Sequence, residues 1–350
     1  MFRTLSLLLA ILWSSSAMAQ NFTNPVWRGN WPDPTVWLGE DGRYHCLATN
    51  PTRSLVSDDL FNWEMSNVAP IDIESWGKMQ IIAQRFWAPD VATVAGKRNL
   101  YLTLYNSAED SNIGVLQEYA PGQFQFVGII TRSRETGIHD TIDPEVVTDP
   151  KTGKVWLFFG SVGGIHRIEL EKDGLSLKEG AKYEHVAGLK VEENPNRSKV
   201  FEGSYLHQHG KYWYLFVSSG FFGDHTYQLK VGRAKKLTDD FVDREGNLMK
   251  EGFATTVLHS DEGDQFYGPG HCGEFDPRAH GHRPVQQCRQ QHHHNDQDLS
   301  HQSLECFAAR QVSVLRFVAD AHDPRDQPGH IVHGHHGHQH PHDRRQPQEK

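Results

Sequence analysis

Four acidic residues stand beside proline or glycine at the heads of short apolar runs, at nearly even intervals along the chain: Asp33, Asp90, Asp143 and Glu202. Carboxyl groups that meet in one pocket can share acid–base work, because one can donate a proton while another accepts one. A single acid in this setting would more simply cap a turn. Four acids at one phase of a repeat favour a common site instead.

The segments that these acids open share one plan. An apolar run is followed by a polar turn with glycine or lysine and then by an alternating aromatic and aliphatic run, as from Asp143 to Phe159. Such a unit is typical of two strands joined by a tight turn, and its length suits a four-stranded propeller blade. A fifth unit is predicted near Gly268–His271. The sequence therefore predicts an all-β fold, a five-bladed β-propeller, whose inner strands bring the acids to one mouth of the central axis.

Converging carboxyl groups beside aromatic residues indicate sugar chemistry. Cleavage of a glycosidic bond commonly uses two carboxyl groups on opposite sides of the bond, one as acid and one as base or nucleophile. A third carboxylate nearby would raise the pKa of the acid and keep it protonated. Tryptophans crowd the first 90 residues, among them Trp27, Trp31, Trp37, Trp76 and Trp87. Aromatic faces can stack on sugar rings, although most of these tryptophans are expected to pack inside the blades.

The net charge argues against one class of function, and the N-terminus favours an exported protein. A formal net charge of −9 argues against a general nucleic-acid binder. Arg3, the apolar run Leu5–Trp13 and the small-x-small pattern Ala17–Ala19 predict a signal peptide over residues 1–19, cleaved after Ala19. No other stretch is apolar enough to span a membrane, so we expect a secreted or periplasmic protein. No helix is predicted beyond the signal, because long 3.6-residue periodicity is absent.

The four cysteines do not form an evident disulfide framework. Cys46, Cys272, Cys288 and Cys306 are widely scattered and lack Cys-x-x-Cys spacing, which argues against a metal site built from them. An oxidising compartment would permit disulfides, but the sequence assigns no pairing.

A series of short motifs runs in order from about Pro25 to Phe275. The motifs are Trp31–Pro34, Leu55–Trp63, Phe86–Val91, Thr141–Pro144, Gly160–Leu170, Phe201–Tyr205, Val231–Ala234, Phe241–Gly246 and Gly268–His271. Each one alone is a weak signal, since an Asp-Pro pair means little. Together and in this order they resemble glycoside hydrolase family 43 and, within it, the endo-acting arabinanases.

The resemblance implies an inverting glycosidase with three functional acids. Asp33 would be the general base that activates water, and Glu202 the general acid that protonates the departing sugar. Asp143 would raise the pKa of Glu202 and help to orient the substrate. Asp90 matches its motif, but no catalytic role is assigned to it. The substrate would be α-1,5-linked L-arabinan or a related plant cell-wall polysaccharide.

The resemblance also implies residues that contact ligands. Trp87, Thr141, Ile142 and Ser161 would bind substrate. His271 would lie on the axis and hold, directly or through water, an ion that in the family is usually calcium. No organic cofactor, nucleic-acid partner or membrane insertion is expected, and the protein is expected to be a monomer.

The last 75 residues depart from the family pattern. Residues 276–350 hold 14 of the 23 histidines, no tryptophan, no tyrosine and a single lysine. Three interpretations stay open: a His-rich metal-binding segment, a disordered natural extension, or the product of a shifted reading frame. The propeller domain is therefore predicted over residues 20–275, with its last blade incomplete or altered. Such a propeller would have open strand edges, which favour aggregation.

Other functions remain open at this point. The loops around the pocket would decide between an endo-acting arabinanase and an exo-acting arabinofuranosidase or β-xylosidase of the same family. A non-catalytic sugar-binding propeller is a further alternative, against which the retention of all three acids argues. A zinc- or nickel-binding protein based on the His-rich tail is the last.

Overall fold

The computed structural model describes residues 26–194, 200–261 and 268–273, together with the backbone of two further strands, 287–292 and 302–307. The predicted signal peptide and most of the His-rich tail lie outside these ranges.

Four antiparallel sheets of four strands each make up the chain as far as Leu258, and in each sheet the strands follow one another in chain order. The strands of the first two sheets are β1 (Thr35–Leu38), β2 (Tyr44–Leu47), β3 (Leu55–Ser57), β4 (Trp63–Met65), β5 (Arg85–Val94), β6 (Lys97–Ser107), β7 (Asp110–Ala120) and β8 (Gln123–Arg132). Those of the next two are β9 (Glu145–Thr148), β10 (Val155–Phe159), β11 (Ile165–Leu170), β12 (Glu184–Ala187), β13 (Glu202–His209), β14 (Tyr212–Ser219), β15 (Gln228–Ala234) and β16 (Thr255–Leu258). Each sheet is a propeller blade, so the predicted all-β propeller class is confirmed.

Tight turns hold the strands of a blade in register. β5 and β6 meet at Ala95 and Gly96, whose φ angles are 49° and 78°, and Val94 pairs directly with Lys97 across the turn. A two-residue turn with both φ angles positive has the type I′ geometry, which matches the right-handed twist of the strands. This turn therefore sets the pairing of β5 with β6.

The apolar core lies between the blades, because the central strands are buried on both faces. All five residues of β10 are buried. Trp156 and Phe158 pack in a cluster with residues of the fourth blade, whereas Leu157 and Phe159 pack with residues of the second blade. Successive side chains of a strand point to opposite faces, so this one strand joins its blade to both neighbours.

The inner strand of each blade contains or follows one residue in the left-handed backbone region, and a fifth such residue lies in the segment 268–273. These residues are Asp33 (φ 52°), Ala88 (43°), Asp143 (56°), Gly203 (56°) and His271 (46°). Positive φ is uncommon outside glycine and persists where the surroundings impose it. Five positions with the same backbone turn define the true phase of the repeat.

Two residues after the left-handed position, in each of the first three blades, a side chain reaches the next blade. Its oxygen accepts a hydrogen bond from a backbone N–H of the neighbouring inner strand. The pairs are Thr35 Oγ1 with Val91 (3.2 Å), Asp90 Oδ2 with Val146 (2.8 Å) and Glu145 Oε1 with Leu206 (3.4 Å). The expectation that all four repeated acids share one site is therefore wrong for Asp90, because Ala88 occupies the position equivalent to Asp33.

One helix of the structure was not predicted. α1 (Ile73–Ile82) follows β4, and Asp72 caps it by accepting the N–H of Ser75 at 2.9 Å. Its apolar residues do not form the single stripe by which a helix is recognised in a sequence, since Ile73 and Ile81 are each 87% exposed. The periodicity therefore gave no signal for this helix.

The other helical segments are short. α2 (Ser133–Thr136) is a single turn after β8, and two 3-10 turns cover Val191–Glu193 and Met249–Glu251. Within the described ranges, no helix is long and apolar enough to cross a bilayer.

The described residues contain four complete blades where five were predicted. Two further strands, β17 (Gln287–His292) and β18 (Gln302–Phe307), pair as an antiparallel hairpin and form a sheet of their own. The segment 268–273 contacts the fourth blade, where Ser218 Oγ accepts the N–H of His271 at 2.6 Å. No disulfide occurs among the side chains that the structure describes.

Candidate active site

Three of the predicted acids meet in one cavity of about 290 Å³. Asp33 comes from the first blade, Asp143 from the third and Glu202 from the fourth. The cavity wall consists of Asp33, Thr49, Trp87, Ile142, Asp143, Glu202, Phe222, Tyr227 and His271. Residues more than 200 positions apart in the sequence thus share one site, because the four described blades and the segment 268–273 each contribute to its wall.

Asp33 is held between two partners. Its Oδ2 accepts a hydrogen bond from the hydroxyl of Thr49, and its Oδ1 lies 3.2 Å from Nδ1 of His271. The side chain stays 18% exposed. A carboxylate with a fixed orientation and access to the cavity can take a proton from a water molecule.

Asp143 is the most buried of the three acids, with 7% of its surface exposed. Its N–H donates to Thr103 Oγ1 at 3.0 Å, and its Oδ2 accepts the N–H of Gly203 at 3.1 Å. Burial is the largest cause that raises the pKa of Asp143, to about 7. Repulsion from Glu202 and Asp33 adds to this effect, whereas the nearby histidine opposes it.

Glu202 is the first residue of β13 and is held at both oxygens. Its Oε2 accepts a hydrogen bond from Ser161 at 2.8 Å, and its Oε1 accepts one from the phenol of Tyr227 at 2.7 Å. Burial raises the pKa of Glu202, and repulsion from Asp33 adds to it. The two hydrogen bonds and the charge of His271 lower the pKa without offsetting burial. A buried carboxyl of this kind can stay protonated and act as an acid.

His271 supplies positive charge among the three acids. Burial by itself lowers the pKa of His271, but attraction to Asp33, Asp143 and Glu202 outweighs burial and raises the pKa above its ordinary value. The imidazole, when it is protonated, reduces the repulsion between carboxylates that lie in one cavity.

The residues present do not fit a calcium ion held directly by protein. Calcium takes six to eight oxygen ligands, and the described part of the chain contains no group of three or more His, Cys, Asp or Glu side chains placed to hold a metal. The Nδ1 atom of His271 faces Asp33. Any ion beside His271 would need water for most of its ligands.

The chain is similar in sequence to known glycoside hydrolases. The family model of Glycosyl hydrolases family 43 matches residues 22–311. The chain belongs to this family. An extracellular endo-α-(1→5)-L-arabinanase of Bacillus subtilis is 31% identical over 252 residues, which cover 68% of this chain and 75% of the relative. An extracellular exo-α-(1→5)-L-arabinofuranosidase of Cellvibrio japonicus is 28% identical over 264 residues, 69% of this chain and 74% of the relative.

Solved structures agree on the fold. The native arabinanase of Bacillus subtilis superimposes with a TM-score of 0.64 and 26% identity, over 80% of this chain and 96% of that chain. An exo-1,5-α-L-arabinanase from a bovine ruminal metagenomic library has a TM-score of 0.63 and 26% identity, over 82% of this chain and 94% of that chain. The protein is therefore a propeller hydrolase of family 43.

Two of the predicted substrate contacts of this family 43 hydrolase line the cavity. Trp87 stacks on Tyr105, with ring centroids 4.2 Å apart, and Ile142 lies directly before Asp143 in the wall. The other early tryptophans pack in the blades; Trp37, for example, is 5% exposed. The expectation that most of these tryptophans belong to the core is confirmed for the described residues.

The other two predicted contacts have different positions. Ser161 donates to Glu202, so it holds the acid. Thr141 is fully buried, and its hydroxyl donates to the carbonyl of Ile138 at 3.1 Å. The structure does not bring Thr141 into the cavity wall.

Asp90 lies in a different cavity of about 390 Å³, together with Glu145. Burial raises the pKa of Asp90 to about 7. Burial, followed by repulsion from Asp90, raises the pKa of Glu145 well above its usual value. The two cavities share His271 in their walls, but Asp90 does not line the one that holds the three acids.

Sequence reasoning missed Thr49, Phe222 and Tyr227. Thr49 faces Asp33 because Thr35 pairs with Leu47 across β1 and β2, a register that only the structure shows. No repeat or motif marks Phe222 or Tyr227, which lie between β14 and β15. Burial, followed by repulsion from Glu202, raises the pKa of Tyr227 well above its usual value. The phenol therefore keeps its proton and donates it in the hydrogen bond to Glu202.

Proposed function

We propose that this family 43 hydrolase cleaves α-1,5-linked L-arabinan within the chain and with inversion of configuration. The convergence of Asp33, Asp143 and Glu202 from three blades is the observation that carries the proposal. Similarity to the Bacillus subtilis endo-arabinanase over two thirds of the chain supports the choice of substrate. Two carboxyl groups on opposite sides of a glycosidic bond suffice for direct displacement by water.

Asp33 acts as the general base. Thr49 and His271 each engage one of its oxygens, which fixes the plane of the carboxylate. In the inverting reaction this carboxylate takes a proton from the attacking water as the new carbon–oxygen bond forms.

Glu202 acts as the general acid. It gives its proton to the glycosidic oxygen as the bond to the departing sugar breaks. Asp143 helps to keep that proton in place, because two neighbouring carboxylates repel each other; repulsion from Glu202 contributes, after burial, to the raised pKa of Asp143. The carboxyl of Asp143 also lies in the cavity wall, where it can orient a sugar hydroxyl. Trp87 and Ile142 complete the substrate surface, and Ser161 aligns the acid.

Exo action is the second candidate, since one relative and one similar structure carry exo-acting names. The distribution of products separates the two candidates. An endo-acting enzyme releases arabino-oligosaccharides of several lengths early in the reaction, whereas an exo-acting enzyme releases a single short product throughout.

An axial calcium ion, if bound, would be held at His271 largely through water, and no step of this mechanism depends on it. Dialysis against EDTA followed by addition of calcium tests this ion. Arabinan hydrolysis that survives dialysis would limit the ion to a structural role.

We further propose a secreted or periplasmic monomer that acts on plant cell-wall arabinan. Two relatives of the chain are named extracellular, and the predicted signal peptide over residues 1–19 agrees with export, although it lies outside the described residues. Cleavage after Ala19 is checked by mass spectrometry of the exported protein.

A fifth blade is proposed on the basis of His271, which has the left-handed backbone found in the other four repeats. The family match continues to residue 311, beyond the predicted end of the propeller domain at residue 275. The fifth blade would therefore begin at the segment 268–273. The three interpretations of residues 276–350 stay predictions.

The test is product release from linear arabinan by the whole chain, with Glu202→Gln as the inactive control and xylan as a second substrate. We expect arabino-oligosaccharides of mixed length that disappear in the control. Release of xylose from xylan instead would favour the β-xylosidase alternative. Binding of arabinan without release of any product would favour a non-catalytic propeller.

A further inference from the structure

We propose that the turn from Gly220 to Tyr227 forms the leaving-group side of the substrate site, and that Phe222 in this turn is the aromatic platform on which the departing sugar stacks. The inference rests on the proposed function. It concerns a turn that neither the repeat nor the sequence motifs singled out.

Two neighbouring phenylalanines of this turn are unusually exposed. Phe221 is 57% exposed and Phe222 is 48% exposed, and their ring centroids lie 4.9 Å apart at an angle of 45°. Phe222 lines the cavity that holds the three acids. Exposed large apolar side chains that adjoin one another mark a binding surface more often than a packing surface. A furanose ring offers C–H groups that match an aromatic face.

The turn is held rigidly by its own hydrogen bonds. Asp224 Oδ1 accepts the N–H of Thr226 at 2.8 Å, and Thr226 Oγ1 accepts the N–H of Phe221 at 3.1 Å. Gly220 has a φ of 101°, and a Cβ there would lie 2.2 Å from the carbonyl oxygen of Thr226. Only glycine fits at this position. A turn that is already ordered loses little entropy when a sugar binds against it.

The last residue of the same turn, Tyr227, is hydrogen-bonded to the proposed general acid, Glu202. Tyr227 donates to Glu202 Oε1 at 2.7 Å, and its ring packs so closely on Gly270 that a Cβ there would lie 2.1 Å from it. The turn therefore lies on the side of the cavity where the glycosidic oxygen is protonated. That oxygen leaves with the departing sugar, so the sugar next to Phe222 is the leaving group. Trp87, from the second blade, forms a different part of the wall.

The first experiment compares Phe222→Ala with Phe253→Ala on linear arabinan. Phe253 is a matched control, because it is 40% exposed but does not line the cavity. We expect Phe222→Ala to lower kcat/KM by about tenfold, or about 1.4 kcal/mol, mainly through KM, since the sugar loses the aromatic face on which it stacks. Phe222→Tyr keeps the aromatic face and should stay within about twofold of the wild type. Phe253→Ala should leave both constants unchanged.

The second experiment locates the sugar. Arabinopentaose with an ¹⁸O label at its reducing end is cleaved by the wild type and by Phe222→Ala, and the masses of the labelled fragments are measured by mass spectrometry. Loss of a leaving-side platform should shift cleavage so that the labelled fragments become shorter. A general loss of structure would slow every cleavage equally and leave the pattern unchanged.

Wild-type hydrolysis of arabinan with no change of KM or of cleavage pattern in Phe222→Ala would overturn this inference and leave the proposed function intact. The absence of arabinan hydrolysis in the wild type would overturn both.

Discussion

Burial and hydrogen bonding have opposite effects on the pKa of Glu202. Burial favours the protonated carboxyl, whereas the hydrogen bonds from Tyr227 and Ser161 favour the carboxylate. An acid of this kind needs a pKa high enough to hold its proton and low enough to release it. The two donors therefore adjust the pKa while they hold the carboxyl in one orientation.

Replacement of Tyr227 by phenylalanine should shift the pH dependence of catalysis. The variant loses a hydrogen bond that lowers the pKa of Glu202, so that pKa rises. The alkaline limb of the kcat/KM profile, where the acid loses its proton, should move to higher pH. The rate at the optimum should fall about tenfold, because the carboxyl is less well oriented. The control is Tyr119→Phe, at an exposed tyrosine of β7, which should leave the profile unchanged. An alkaline limb that moves to lower pH would contradict the assignment of Glu202 as the acid.

Residue types alone indicated much of the site. Asp33, Asp143 and Glu202 were recognisable because each opens a repeat beside proline or glycine. The contacts that set their protonation were not recognisable, since Tyr227 and Thr49 reach the acids through folding and not through spacing.

The blades are joined by side chains of the inner strands as well as by the apolar core. Asp90 and Glu145 each accept a backbone N–H of the following blade, yet their burial raises both pKa values. A carboxyl whose pKa is raised on folding is held more firmly in its protonated form in the folded protein than in the unfolded chain. It therefore contributes to the stability of the fold only at low pH. This stabilisation is complete below the ordinary pKa of 3.8 and is lost as the pH rises through about 7.

Substitution of Asp90 by asparagine should therefore stabilise the protein most at alkaline pH. The amide oxygen can still accept the N–H of Val146, but it carries no charge. We expect the gain in Tm over the wild type to be larger at pH 8 than at pH 5, by about 3 °C or more. Thermal unfolding at both pH values measures the difference. The exposed control Asp58→Asn should show no such dependence on pH. An equal effect of Asp90→Asn at both pH values would mean that Asp90 is already ionised at pH 5.

The position of Asp90 also shows that a repeat in the sequence can predict the wrong place for a side chain along its strand. The motif around Asp90 resembles those around the three acids of the first cavity, but it is shifted by two residues relative to the left-handed backbone position at Ala88. A shift of two residues keeps the side chain on the same face of a strand and moves it along the axis. Asp90 therefore lies in the second cavity.

At the scale of the molecule, the three acids come from the first four blades, whereas the family match ends at residue 311, within the His-rich tail. Eight of the 23 histidines fall in residues 312–350. Metal binding by the tail and sugar hydrolysis by the propeller are thus expected to be separable.

Deletion of residues 312–350, which removes eight of the 14 tail histidines, should weaken retention on a nickel resin and keep kcat/KM on arabinan within about twofold of the full chain. Histidine-rich tracts bind such metals, whereas the mechanism uses side chains of the propeller alone. Chromatography and product assays on the same two proteins measure both properties. Loss of hydrolysis on deletion would show that the tail covers part of the last blade.

The sequence by itself determined the all-β propeller, the three acids and the family, because strand alternation, turn residues and motif order are local properties that persist in the linear chain. The tertiary structure alone decided that Asp90 faces another cavity, that Thr141 is buried, and that Tyr227 and Phe222 lie beside Glu202. These facts depend on how the blades are oriented around the axis and on where a turn between β14 and β15 comes to rest. Such distances join residues that are remote in sequence, so no local pattern encodes them.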